Sequence, residues 1–240
     1  MVASLKGQIA LVTGASRGIG RAIAWRLARA DCDVILLARS AKELTELALE
    51  IKTAGREAMA IPTDLRDAEQ IERAVKKALG YFGRIDLLVN NAGLWHYAPV
   101  QEMDIAEWDE MFDVNVRGSF LTTKFILPSM LERKRGHIVN IVSVSGLIGE
   151  AEAAGYNATK WAMRGFSYSL LKEVREKGIR VTVVNPGGVN NDQARTARAA
   201  KLIQNEDVAE LVYLAVTMPP RANLTEATVW SELDNTSSLP

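Results

Sequence analysis

Cysteine is almost missing from this chain: Cys32 is the one thiol among 240 residues. An intramolecular disulfide is therefore impossible. Nothing at the start of the chain reads as a charged segment followed by an apolar run and a small-residue cleavage site, so the expected location is a reducing cytoplasm. Histidine is equally scarce. His96 and His137 are far apart in sequence and lack metal-ligand spacing, so no metal is expected. There is no excess of charge, since 29 Lys+Arg offset 29 Asp+Glu. Without a long-range field, nucleic acid and membrane surfaces are not expected as partners. No stretch reaches the about 18 consecutive apolar residues that suggest a membrane span. Internal repeats, low-complexity tracts and linkers are lacking too. What remains is a chain 48% hydrophobic, of a length usual for one α/β domain of roughly 200 to 250 residues. One domain, 1–240, is expected.

Short apolar, β-branched runs alternate with longer stretches of helical spacing. Strands are expected at 8–13, 33–38, 57–61, 85–89, 136–143, 179–184 and 227–230. Helical stretches fall at 19–30, 41–54, 67–82, 104–133, 153–177 and 206–218. Pro128 should kink or break the longest of these. Strand and helix in regular succession mean parallel pairing through right-handed crossovers. Strands apolar on both faces are those of a sheet covered on both sides. The expected fold is α/β, a Rossmann-like doubly wound parallel sheet.

Thr13-Gly14-Ala15-Ser16-Arg17-Gly18-Ile19-Gly20 ends the first strand and opens the first helix. Gly14 permits the tight turn, Gly18 lets the backbone approach a pyrophosphate, and Gly20 brings helix close to sheet. The helix N-terminus offers unpaired N–H groups and a partial positive charge to phosphate. The second strand ends Ala38-Arg39-Ser40, about 20 residues on, where NAD-binding domains place an acid for the ribose 2′-hydroxyl. A guanidinium instead pairs with a 2′-phosphate. Arg17 can reach the same group, so NADP(H) is expected over NAD(H); the alternative is that Arg39 is a solvated loop residue.

Tyr156 and Lys160 share one helix face, a turn apart. A free phenol titrates near pH 10, and a neighbouring cation stabilises its phenolate. Alone, such a pair is more often a packing contact than a catalytic one. Ser143 at the end of the fifth strand, Asn90 to Gly93 after the fourth and Pro186-Gly187 after the sixth lie at the same carboxyl edge, where open α/β sheets bind ligands.

Along nearly its whole length the chain resembles the short-chain dehydrogenase/reductase family, its 3-oxoacyl carrier-protein reductases included. The resemblance rests on the Thr-Gly-x3-Gly-x-Gly turn, Asp64 after the third strand, Asn-Asn-Ala-Gly, Asn115 in Asp-Val-Asn-Val, Ser143 thirteen residues before Tyr156, Tyr-x3-Lys, and Pro-Gly. It implies a catalytic tetrad of Asn115, Ser143, Tyr156 and Lys160. Ser143 would bond the substrate oxygen, Tyr156 protonate it, Lys160 lower the tyrosine pKa and hold the cofactor ribose, and Asn115 place a water joining Lys160 to solvent. It also implies that Gly14, Ser16, Arg17, Gly18, Ile19 and Gly20 cradle the dinucleotide, with Arg39, Ser40, Asp64 and Leu65 at the adenosine. Asn91, Ala92 and Gly93 would wall that side. Pro186, Gly187 and Val189 would meet the nicotinamide.

Where relatives follow Pro-Gly with a threonine for the carboxamide, this chain has Gly188-Val189-Asn190-Asn191, and Asn191 can make the contact in its place. The segment from there to about Gln204 is short and polar. The chain ends Ala227-Thr228-Val229-Trp230-Ser231-Glu232 and a polar tail, unlike members that finish with Val-Asp-Gly-Gly. His96 or Tyr97 should touch substrate, His137 should be a structural surface residue, and Cys32 should pack. Trp161, Met163 and Phe166, with 120–126, are either core or a face that pairs in a homodimer or homotetramer. The expected activity is NADPH-dependent reduction of a ketone or aldehyde, with a 3-oxoacyl thioester among the candidates. An NADP-dependent alcohol or polyol dehydrogenase, or a catalytically silent NADP(H) sensor, remains the alternative.

Overall fold

The structure is a computed structural model that describes residues 4–191 and 196–234. Seven parallel strands form one sheet in the order β3-β2-β1-β4-β5-β6-β7. They are β1 (Ile9–Thr13), β2 (Asp33–Ala38), β3 (Ala58–Pro62), β4 (Leu87–Asn90), β5 (Gly136–Ile141), β6 (Ile179–Pro186) and β7 (Glu226–Val229). The order reverses between β1 and β4, where their carboxyl ends diverge into a crevice. This is the expected doubly wound sheet. Helices α1 (Gly18–Ala28), α2 (Ala41–Thr53) and α7 (Asn205–Thr217) cover one face, burying Ile23, Leu27, Leu44, Leu47 and Val212 against β1 and β2. Helices α3 (Ala68–Phe82), α5 (Ser119–Arg133) and α6 (Ala154–Val174) cover the other, around Leu11, Ile71, Ile126 and Leu170. Burial on both faces is why the strands read as unbroken apolar runs.

Two expectations are corrected. Helix α5 runs through Pro128 without breaking; Pro128 and Lys124, the residue whose carbonyl it leaves unpaired, are both exposed. The break comes earlier: α4 (Ile105–Met111) passes into a π-helical segment, Phe112–Gly118, that carries Asn115. His137 is not on the surface but 1% exposed. It opens a central strand, β5, and its Nε2 lies 2.8 Å from Thr182 Oγ1 on the neighbouring β6. Burial, with Arg180 nearby, pushes its pKa down to about 3. Cys32 packs as expected: it is fully buried, and burial pushes its thiol up.

Candidate active site

The carboxyl ends of β1 to β6 open into one cleft of about 810 Å³. Gly14 turns the chain there at φ +66°, and a Cβ on it would stand 2.9 Å from Ala92 Cα. A Cβ on Gly20 would lie 2.3 Å from the Gly14 carbonyl oxygen, so α1 starts where only glycine fits. Thr13 ties this turn to the loop after β4: its hydroxyl accepts from the N–H groups of Asn91 and Ala92, each at 3.0 Å. Asn91 Nδ2 returns a bond to the Thr13 carbonyl at 2.9 Å. Helices α3 and α4 are capped by the carboxylates of Asp67 and Asp104. In contrast, α1 has no side-chain cap and no acid in its first turn. Its first N–H groups therefore face the cleft with their partial positive charge uncompensated. A glycine cradle closed to any side chain, with an uncapped helix start behind it, fits a dinucleotide pyrophosphate. Ser16, Arg17, Gly18 and Ile19 line the same turn.

At the β2 end, Arg39 and Ser40 line the cleft with Asp64, Leu65 and Arg17. The Arg39 side chain is 65% exposed, its guanidinium 4.0 Å from Glu110. Asp64 is held bidentately by Arg66, at 3.1 Å (Nε to Oδ1) and 2.6 Å (Nη2 to Oδ2), which lowers its carboxyl pKa. Arg66 bridges on to Glu110 at 3.0 Å.

At the other end, Ser143, Tyr156 and Lys160 meet. Ser143 leaves β5 in extended conformation with its hydroxyl at the Tyr156 phenol, whose pKa it lowers, and donates to the Pro186 carbonyl at 3.5 Å. Lys160 is 5% exposed; its Nζ lies 5.4 Å from the Tyr156 ring centroid and donates to the Ile141 carbonyl at 3.3 Å. Burial pushes the phenol pKa up, and it pulls Lys160 down to about 8. The expected lowering of the phenol by Lys160 is not found: burial, with Tyr97 and Glu150, raises it, and the Ser143 hydroxyl is what opposes them. Asn115 is 2% exposed. Its Oδ1 accepts from Leu94 N–H at 2.9 Å, while Nδ2 donates to the Leu94 carbonyl and to Thr159 Oγ1 at 2.9 and 3.1 Å. The amide thus pins the loop after β4 to helix α6, one residue from Lys160.

Asn91, Ala92, Gly93, Pro186, Gly187 and Val189 all line the cleft. Asn191 does as well, but its Oδ1 lies 3.5 Å from where a Gly18 Cβ would be, at the phosphate end. Of the pair after β4, Tyr97 faces the cleft, its ring edge-on to Tyr156 with centroids 6.2 Å apart. His96 turns instead to Glu107 and Glu110, at 3.4 and 3.5 Å. Trp95, Glu150 and Asp234 also line the cleft and were not singled out by the sequence. Asp234 arrives from beyond β7 to accept from the Gly188 N–H at 3.0 Å, a contact without any local sequence signal. Among the described residues no helix is long and apolar enough to cross a membrane. The polar stretch after Asn191 falls partly, at 192–195, outside the described residues.

The family model for short chain dehydrogenases matches residues 8–202. An uncharacterized oxidoreductase of Staphylococcus aureus strain MRSA252 is 36% identical over 227 residues, 94% of this chain and 97% of that protein. Among solved structures, a metagenomic short-chain oxidoreductase in complex with NADP superposes with a TM-score of 0.86 at 38% identity, covering 96% of this chain and 100% of the other. An alcohol dehydrogenase from the archaeon Thermococcus sibiricus, complexed with 5-hydroxy-NADP, gives 0.89 at 30% identity, covering 95% and 98%. With these matches spanning the glycine turn, the crevice and the Tyr156–Lys160 helix alike, the chain belongs to the short-chain dehydrogenase family of oxidoreductases.

Proposed function

We propose that the protein reduces small ketones or aldehydes to alcohols with NADPH, and that Ser143, Tyr156 and Lys160 carry the chemistry. The supporting observation is the meeting of a half-buried phenol, its pKa raised, with a serine hydroxyl at the mouth of a dinucleotide cradle. The NADP complexes of the two structural relatives, together with exposed Arg17 and Arg39 where an acid would mark NAD, favour the phosphorylated cofactor. When bound, the cofactor supplies the hydride. Ser143 donates a hydrogen bond to the carbonyl oxygen, and Tyr156 gives that oxygen its proton as negative charge develops on it. A phenol whose pKa burial has raised is still a far stronger acid than an alcohol, so the transfer runs downhill. Lys160, charged below about pH 8, favours the phenolate left behind and holds the ribose hydroxyls. Asn115 acts as a positioning residue, fixing the Leu94 loop against α6 while a water next to it returns the proton to Lys160.

The same reading makes the molecule a homodimer or homotetramer acting in a reducing cytoplasm. The test of activity is NADPH absorbance across a panel of ketones, aldehydes and 3-oxoacyl thioesters. Oxidation of NADPH by at least one class, with NADH clearly poorer, is expected. Tight NADPH binding with no turnover of any of them would replace the reductase with a cofactor sensor.

A further inference from the structure

Charged side chains line both ends of the cleft. Arg17 and Arg39 stand at the β2 end with Glu43 and Asp64, the latter paired with Arg66. Beyond Tyr156 the charged lining residues are Lys160, Asp234 and Glu150. Lys160 is buried against the Ile141 carbonyl, and Asp234 is taken up by the N–H groups of Gly188 and Ser231. Glu150 differs from both. It is exposed on the loop between β5 and α6, its Oε2 accepts from Ser145 Oγ at 2.5 Å, and among the described residues no cation pairs with it. The Ser145 N–H in turn donates to Ser143 Oγ at 3.1 Å, so one serine separates this carboxylate from the hydroxyl that would bond the carbonyl oxygen.

Two aromatic rings share its rim. Trp95 and Tyr97, 50% and 58% exposed, lie on the loop after β4. That loop is joined to the Glu150 loop by the Ala98 N–H, which donates to the Glu152 carbonyl at 2.8 Å. Tyr97 packs edge-on against Tyr156, and burial, with a smaller contribution from the Glu150 charge, pushes both phenols upward. A carboxylate without a cation, set beside open aromatic rings, recognises a positive group through charge attraction and the negative ring faces together. The same charge repels an anion brought to the reacting carbonyl.

We infer that Glu150, with Trp95 and Tyr97, is a specificity-determining residue that selects carbonyl substrates bearing a protonated amine over those bearing a carboxylate. The inference rests on the reductase reading for its role in turnover, but its binding preference is measurable separately. The experiment compares acetophenone with its 4-aminomethyl and 4-carboxylate derivatives on wild type, Glu150→Gln and Glu150→Lys. Initial rates with NADPH give kcat/KM, and calorimetric titration into the protein–NADP+ complex gives Kd. Wild type should favour the ammonium compound over the carboxylate in both readouts. Glu150→Gln should shrink that ratio roughly tenfold, as losing a partly exposed charge pair with ring contacts implies, and Glu150→Lys should reverse it. An equal ratio in all three proteins, or a wild-type preference for the carboxylate, overturns the inference. Absence of turnover with all three ketones would sink the reductase reading, and the order of Kd values would still decide the role of Glu150.

Discussion

Arg39 stands at the end of β2 with its side chain 65% exposed and only a 4.0 Å approach to Glu110 to hold it. An exposed pair of this kind contributes about 1 kcal/mol or less, so the guanidinium is available to a 2′-phosphate at little cost. Arg39→Asp should remove that pairing and repel the phosphate. The ratio of NADPH to NADH efficiency should then fall by about 100-fold, in line with a charge-assisted bidentate contact; an unchanged ratio would make Arg39 a solvated loop residue. His137 gives a second prediction. Its folded pKa, pushed down to about 3, lies below the 6.5 of an ordinary imidazole. Between those values the unfolded chain binds a proton that the folded one refuses, so stability is present above pH 6.5 and drains away as pH falls toward 3. Chemical denaturation at pH 7 and pH 4.5 should show a smaller difference in His137→Gln than in wild type. An identical difference would mean that the buried ring does not drive acid unfolding.

Among the elements, α1 joins fold to site most tightly. A Cβ on its Gly20 would lie 2.3 Å from the Gly14 carbonyl oxygen and 2.5 Å from Asn91 Nδ2. Backbone cannot yield there as a flexible side chain would. Gly20→Ala should cost about 2 kcal/mol from overpacking, lowering Tm by about 5 °C for a domain of this size, and should weaken NADPH binding in fluorescence titration. Wild-type Tm and affinity would show that the helix start tolerates movement. The strands and the glycine turn were legible because doubly buried β-branched runs and a strand–turn–helix spacing are local signals. Ser143, Tyr156 and Lys160 were legible because their spacing follows from one strand end and one helix face. The π-helical segment at Phe112–Gly118 was not, since a widened turn keeps the apolar spacing of an ordinary helix. Pro128 misled because what decides its effect is which way the freed carbonyl faces. His137 misled because polarity was read without its position in the strand order. Glu150 and Asp234 reach the cleft through loop geometry, which no short-range pattern encodes.

For the whole molecule, two of the exposed rings stand out. Phe120 and Trp161 are 45% and 48% exposed on α5 and α6, with half-buried Phe166 edge-on to Phe120 at 6.4 Å. Met163 and Ile126, from the same helices, are in the core. The expectation that these helices serve either core or pairing therefore divides residue by residue. Exposed rings on adjacent helices are the composition of a self-complementary face, and light scattering at micromolar concentration should give the mass of a dimer or tetramer; a monomer would contradict this. The central claim concerns one proton. Tyr156→Phe keeps the ring, its packing against Tyr97 and the whole dinucleotide cradle, and removes only the hydroxyl beside Ser143. Single-turnover reduction of a ketone that wild type accepts should fall at least about 1,000-fold, at the level lost when a general acid is removed, while the Kd for NADPH stays within about twofold. Turnover near that of wild type would place the proton donor elsewhere and contradict the account.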